Sequence, residues 1–176
     1  MTAKLSKKTA ATSVDKQLVM IFLQQFIEPI LSVPCNMLAG ILHEIEKKQL
    51  CHIPVCREEE GVGIAAGAAL AGKRPLLLMQ NSGLGNSINA LMSLTMLYKL
   101  PLFILMSHRG GHGEKISAQI PMGQAAPRLL ETLRIPYLQV KTLRDFPHLS
   151  LFVNDAFHRN KIHAAFLSRE LWDETE

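Results

Sequence analysis

Six short apolar runs alternate with longer stretches of helical periodicity along this chain, and that alternation constrains the fold more than any other feature. Parallel strands need crossovers long enough to hold a helix, whereas antiparallel strands do not. The runs fall at about residues 30–34, 52–56, 75–79, 102–106, 137–140 and 163–167. Helical patterns lie between them, at about 36–48, 57–71, 124–133 and 145–160, with another ending near Leu100-Pro101. The expected fold class is α/β: a parallel sheet of about six strands with helices on both faces. Asp15 is expected to cap a first helix carrying Leu18, Phe22 and Phe26. A single domain is expected over 15–170, with a flexible tail at 1–14 and another at 171–176.

Composition narrows the function. Among 176 residues, 48% are apolar and only 6% aromatic, so a large core must be built mainly from aliphatic side chains. The net charge of +4 owes part of its excess to Lys4, Lys7 and Lys8, and no basic stripe interleaved with aromatics supports nucleic-acid binding. Residues 75–98 carry no charge, but their middle is a polar block that lipid would penalise. Gln24 and Gln25 interrupt the apolar run at 19–26, which lacks a cleavage site. The expectation is a cytoplasmic chain with no membrane contact. Cys35, Cys51 and Cys56 read as reduced thiols. A strand would point Cys51 and Cys56 to opposite faces, against a zinc site with His52.

Ligands of open parallel sheets bind beyond the carboxyl ends of the strands. Three segments there are unusually polar: 57–60, 80–86 and 107–119. In the second, Gln80-Asn81-Ser82-Gly83-Leu84-Gly85-Asn86-Ser87 joins a strand to a helix and is expected to leave backbone N–H groups for an anion or carbonyl. No Gly-Lys-Ser/Thr follows, which excludes a P-loop, and the third glycine of a dinucleotide fingerprint is missing.

Longer blocks carry more information. Arg57-Glu58-Glu59-Glu60-Gly61-Val62-Gly63-Ile64-Ala65-Ala66-Gly67, then Met79 through the block above to Asn89, then Ser107-His108-Arg109-Gly110, resemble the alpha-subunit family of sulfopyruvate decarboxylases. Phosphonopyruvate decarboxylases share the Gln-Asn-Ser-Gly-Leu-Gly-Asn portion. The resemblance spans roughly 33–140. It implies the pyrimidine-binding domain of a thiamine-diphosphate enzyme that decarboxylates a small anionic 2-oxo acid, giving sulfoacetaldehyde from 3-sulfopyruvate. Phosphonopyruvate as substrate, or a module without turnover, are the alternatives.

By the same resemblance Glu58, before the small-residue helix, hydrogen-bonds the aminopyrimidine and promotes its imino tautomer. Glu59 is the rival, and helix-start charge is the bland role for either. Gln80, Asn81, Ser82 and Gly83 are expected beside the coenzyme. Asn81, His108, Arg109 and Gln119 are expected to meet the substrate, with Lys115 and His112 as further candidates. A metal pair of His108 and His112 lacks a third ligand. The Gly-Asp-Gly segment that anchors Mg²⁺ and diphosphate in such enzymes is absent, and the chain has four Asp in all. No metal is therefore expected on this chain. The implied partner is a beta subunit that holds Mg²⁺ and the diphosphate.

Overall fold

The computed structural model describes residues 12–111 and 113–173. Six strands, β1 (Ile30–Ser32), β2 (His52–Pro54), β3 (Leu76–Gln80), β4 (Leu102–Ser107), β5 (Tyr137–Val140) and β6 (Ile162–Leu167), form one sheet in the order β2-β1-β3-β4-β6-β5. Every pairing is parallel, as expected from the alternation. The helices are α1 (Ser13–Gln24), α2 (Ala39–Lys47), α3 (Glu58–Leu70), α4 (Gly83–Ala90), α5 (Ile120–Thr132), α6 (Phe146–His158) and a short α7 (Glu170–Asp173).

Strand periodicity divides the core in two. Leu76, Leu78, Phe103 and Leu105 face α1, α2 and α6, while Leu77, Met79, Ile104 and Met106 face α3, α4 and α5. Both faces of the central strands are therefore buried, which is why they read as unbroken apolar runs. β1 lies between β2 and β3, so the chain steps outward to β2 and then returns across β1. The crossovers α2 and α3 lie on opposite faces, so the switch point of the sheet, the place of the ligand crevice in such folds, falls between the carboxyl ends of β1 and β3.

The first helix starts earlier than expected. Thr12, not Asp15, is the N-cap, and Asp15 stands at the third helical position of a capping box. Its carboxylate accepts from the Thr12 N–H and hydroxyl, both at 2.8 Å, and from Trp172 Nε1 at 3.0 Å. Val14 and Leu171, just outside the expected domain bounds of 15 and 170, are fully buried in the core. Burial follows from this clasp, which ties the first helix to the last. Residues 1–11 and 174–176, including Lys4, Lys7 and Lys8, lie outside the described residues.

Asp15→Ala is expected to cost about 1–2 kcal/mol, because it removes the carboxylate of the capping box and its hydrogen bond with half-buried Trp172. Denaturant titration of the purified chain checks this. An unchanged midpoint would mean that the clasp contributes nothing.

Candidate active site

Glu58 opens α3, where the helix dipole favours an anion. Its Oε2 accepts from Asn86 Nδ2 at 3.0 Å. Gly83 faces the same carboxyl group, and a Cβ there would lie 2.6 Å from Glu58 Cδ, so only glycine fits while Glu58 holds this position. The neighbouring acids do other work. Glu59 Oε1 pairs with Arg57 Nε at 2.7 Å, and its Oε2 is buried without a donor. Glu60 Oε2 accepts the Cys56 N–H at 3.0 Å. Of the three, Glu58 is the one that reaches the turn after β3.

At the crevice, Gln80 Nε2 donates to Ser82 Oγ at 2.7 Å and to Gln119 Oε1 at 2.9 Å. Cys35 adds a weak S–H contact to Gln80 Oε1 at 3.9 Å and lies 3.3 Å from Ser107 Oγ. Gln80, Ser82 and Gln119 thus come together at the carboxyl edge of the sheet. Cys35 and Ser107 were missed by the reading of the sequence. The available signal was positional, since each follows or ends a strand at the ligand-binding edge.

Several expectations need correction. The polar block 80–86 is not an open loop: α4 begins at Gly83, the Leu84 N–H bonds Asn81 O, and the Gly85 N–H bonds Ser82 O, each at 3.2 Å. Those amides are consumed by the turn itself. Asn81, expected to contact coenzyme and substrate, is 1% exposed and staples the next loop. Its Oδ1 accepts the Arg109 N–H at 2.9 Å, and its Nδ2 donates to Arg109 O at 3.1 Å.

Arg109 is not a free cation. Its Nε and Nη2 donate to the two oxygens of Glu114 at 2.7 and 2.9 Å, so one edge of its fork is taken and its charge is paired within the protein. The Arg109 hydrogen bond, followed by backbone N–H donors, holds the Glu114 carboxyl far below the usual carboxylate range. The resulting stability is present at ordinary pH and lost only as pH falls through that depressed value.

His108 is also committed. Pro127 lies inside α5 and cannot donate to the carbonyl of Gly123 four residues back. His108 Nε2 takes that place at 3.1 Å, and it must carry the proton because a carbonyl only accepts. The segment 107–119 is shorter as a loop than the sequence suggested, because a 3₁₀ turn occupies Ser117–Gln119. Lys115 is exposed, and His112 lies outside the described residues. A cavity of about 180 Å³ opens beside His108 and Gly111, with Lys141 and Arg169 also in its wall.

Among the described residues, no three His, Cys, Asp or Glu gather to hold a metal. No described helix is long and apolar enough to cross a membrane.

A scan against protein-family models finds no match. Individual relatives are clear. The alpha subunit of sulfopyruvate decarboxylase from Methanococcus maripaludis is 56% identical over 117 residues, covering 66% of this chain and 70% of that one. Its counterpart from Methanocaldococcus jannaschii is 43% identical over 147 residues, covering 83% and 87%. A sulfopyruvate decarboxylase from Methanosarcina acetivorans is 37% identical over 162 residues, or 92% of this chain but 42% of that longer one. A phosphonopyruvate decarboxylase from Streptomyces viridochromogenes is more distant, at 31% over 124 residues, covering 69% of this chain and 31% of that one. Among solved structures, a split-gene transketolase, described as an inactive beta4 tetramer, shares the fold with a TM-score of 0.56 at 18% identity. The match covers 92% of this chain and 52% of that one.

Proposed function

The chain belongs to the family of sulfopyruvate decarboxylase alpha subunits, and from that premise we propose that it is the pyrimidine-binding half of a thiamine-diphosphate-dependent decarboxylase. The substrate in this reading is 3-sulfopyruvate, and the products are sulfoacetaldehyde and CO₂, for coenzyme M biosynthesis or sulfonate metabolism. One observation carries the assignment beyond the relatives' names: a helix-start carboxylate packed directly against a glycine of the turn after β3, at the ligand-binding edge of the sheet.

That arrangement fits a flat aminopyrimidine with a ring nitrogen turned to Glu58. Thiamine diphosphate, when bound, supplies an electron sink for loss of CO₂ from a 2-oxo acid. Glu58 would hold a proton at the ring nitrogen, with Asn86 fixing Oε2. Gln80 and Gln119, tied to each other, would present their remaining amide groups to the substrate. Lys115 is the exposed cation of the neighbouring loop and suits the substrate's anionic groups better than the engaged Arg109.

Mg²⁺ and the diphosphate are assigned to a beta subunit. The absence of Gly-Asp-Gly and of an oxygen-rich cluster among the described residues supports that division. So does the Methanosarcina acetivorans relative, in which more than half the chain lies outside the match and leaves room for a second domain.

The chain reconstituted with a beta subunit, thiamine diphosphate and Mg²⁺ is expected to release CO₂ from 3-sulfopyruvate. Its kcat/KM should exceed that for phosphonopyruvate by at least about tenfold. An equal or reversed preference would move the assignment to phosphonopyruvate.

A further inference from the structure

We propose that Glu114 is the positioning residue of the loop over the crevice, holding Gln119 against Gln80 through its grip on Arg109. The proposal deepens the decarboxylase reading and rests on it. The Glu114 side chain is 7% exposed and accepts from five N–H groups. Oε2 takes Arg109 Nε at 2.7 Å and the Gly110 N–H at 3.1 Å. Oε1 takes Arg109 Nη2 at 2.9 Å and the N–H groups of Lys115 and Ile116, each at 3.0 Å. One carboxylate therefore gathers both ends of the loop between Arg109 and Ile116.

The contacts continue in both directions and meet. Asn81, next to Gln80 in the chain, fixes the Arg109 backbone. Ile116 O accepts the Gln119 N–H at 2.9 Å and so begins the 3₁₀ turn, and Gln119 Oε1 returns to Gln80 Nε2. The ring Gln80–Asn81–Arg109–Glu114–Ile116–Gln119 closes over the carboxyl ends of β3 and β4. Gly110, at φ +80°, and Gly123 press this loop onto α5 so closely that a Cβ on either would meet the other's backbone.

The inward N–H groups of Gly110, Lys115 and Ile116 all find their acceptor in this one side chain. Arg109 balances the buried charge. Without the carboxylate, Arg109 and three backbone amides lose their acceptor together, and the 3₁₀ turn loses its anchor. The Gln119 amide then has no fixed approach to the substrate, and substrate binding suffers before chemistry does.

The test uses the assembled enzyme with thiamine diphosphate and Mg²⁺. Glu114→Ala is expected to raise KM for 3-sulfopyruvate about tenfold or more while kcat falls less than about threefold. Glu114→Gln keeps an acceptor oxygen and should recover part of the loss, and it stands in if the alanine variant fails to fold. Arg109→Ala should give a similar KM, and the double variant should be no worse than Glu114→Ala alone, because the two act as one unit. Independently of activity, hydrogen exchange at Gly110, Ile116 and Gln119 should accelerate at least about tenfold in Glu114→Ala, beyond any change at the core amides of β3 and β4. A wild-type KM, additive effects, or unchanged exchange at Gln119 would overturn the proposal. If the wild-type assembly leaves 3-sulfopyruvate intact, the decarboxylase reading fails, while exchange at Gln119 still decides whether Glu114 holds the loop.

Discussion

Glu58→Gln in the assembled enzyme is expected to lower kcat by about 10²–10⁴-fold, the range typical of losing a positioned proton-transfer group. The amide matches the carboxylate in shape and can still meet Asn86, so the fold and the assembly should survive. It lacks the charge and basicity needed to hold a proton at a ring nitrogen. Glu58 is half-buried at the start of α3 and belongs to neither core cluster, so a general loss of stability is a poor explanation for a large effect. Gly83→Ala provides a second arm: its Cβ would displace the Glu58 side chain without removing the carboxylate, and kcat should fall with the same substrate dependence. Glu59→Gln is the control. The Glu59 carboxylate is already paired with Arg57, and its variant should keep near wild-type turnover. Full activity in Glu58→Gln with a matching loss in Glu59→Gln would transfer the role to Glu59, whose buried and unpartnered Oε2 makes it the one credible rival.

The isolated 176-residue chain is expected to bind thiamine diphosphate more weakly than about 1 mM and to release no CO₂ until a beta subunit is added. The coenzyme's highly charged end needs a metal and fixed oxygen ligands, which are not assembled among the described residues. The turn after β3 does not replace them, because the N–H groups of Leu84 and Gly85 are spent inside it. What is left for the ring is Glu58 and the Gln80 amide, too small a set to hold the coenzyme. Calorimetry with thiamine diphosphate and Mg²⁺ on the purified chain measures this directly. Micromolar binding, or CO₂ release without a partner, would place the diphosphate site on this chain after all.

The layered parallel sheet, the two helical faces and the place of Glu58 at a strand-to-helix junction are legible in local sequence. These rest on local signals: period-two and helical patterns, a run of acids at a helix start, and glycines where no side chain fits. The capping box of Thr12 and Asp15 is an equally local signal. Tertiary structure alone decided which polar groups remain for a ligand. Asn81 and Arg109 are 28 residues apart, and Cys35 and Ser107 are 72 apart, yet each pair meets at one sheet edge. Arg109 and Glu114 are close in sequence, but only the folded loop turns them from two candidate surface charges into a buried clamp. His108 was claimed by a carbonyl that Pro127 leaves unpaired, a demand visible only once both lie beside α5. The physical reason is common to all of them. A buried donor or acceptor takes whatever partner the strand order brings within about 3 Å, and that order is a long-range property that local periodicity does not encode.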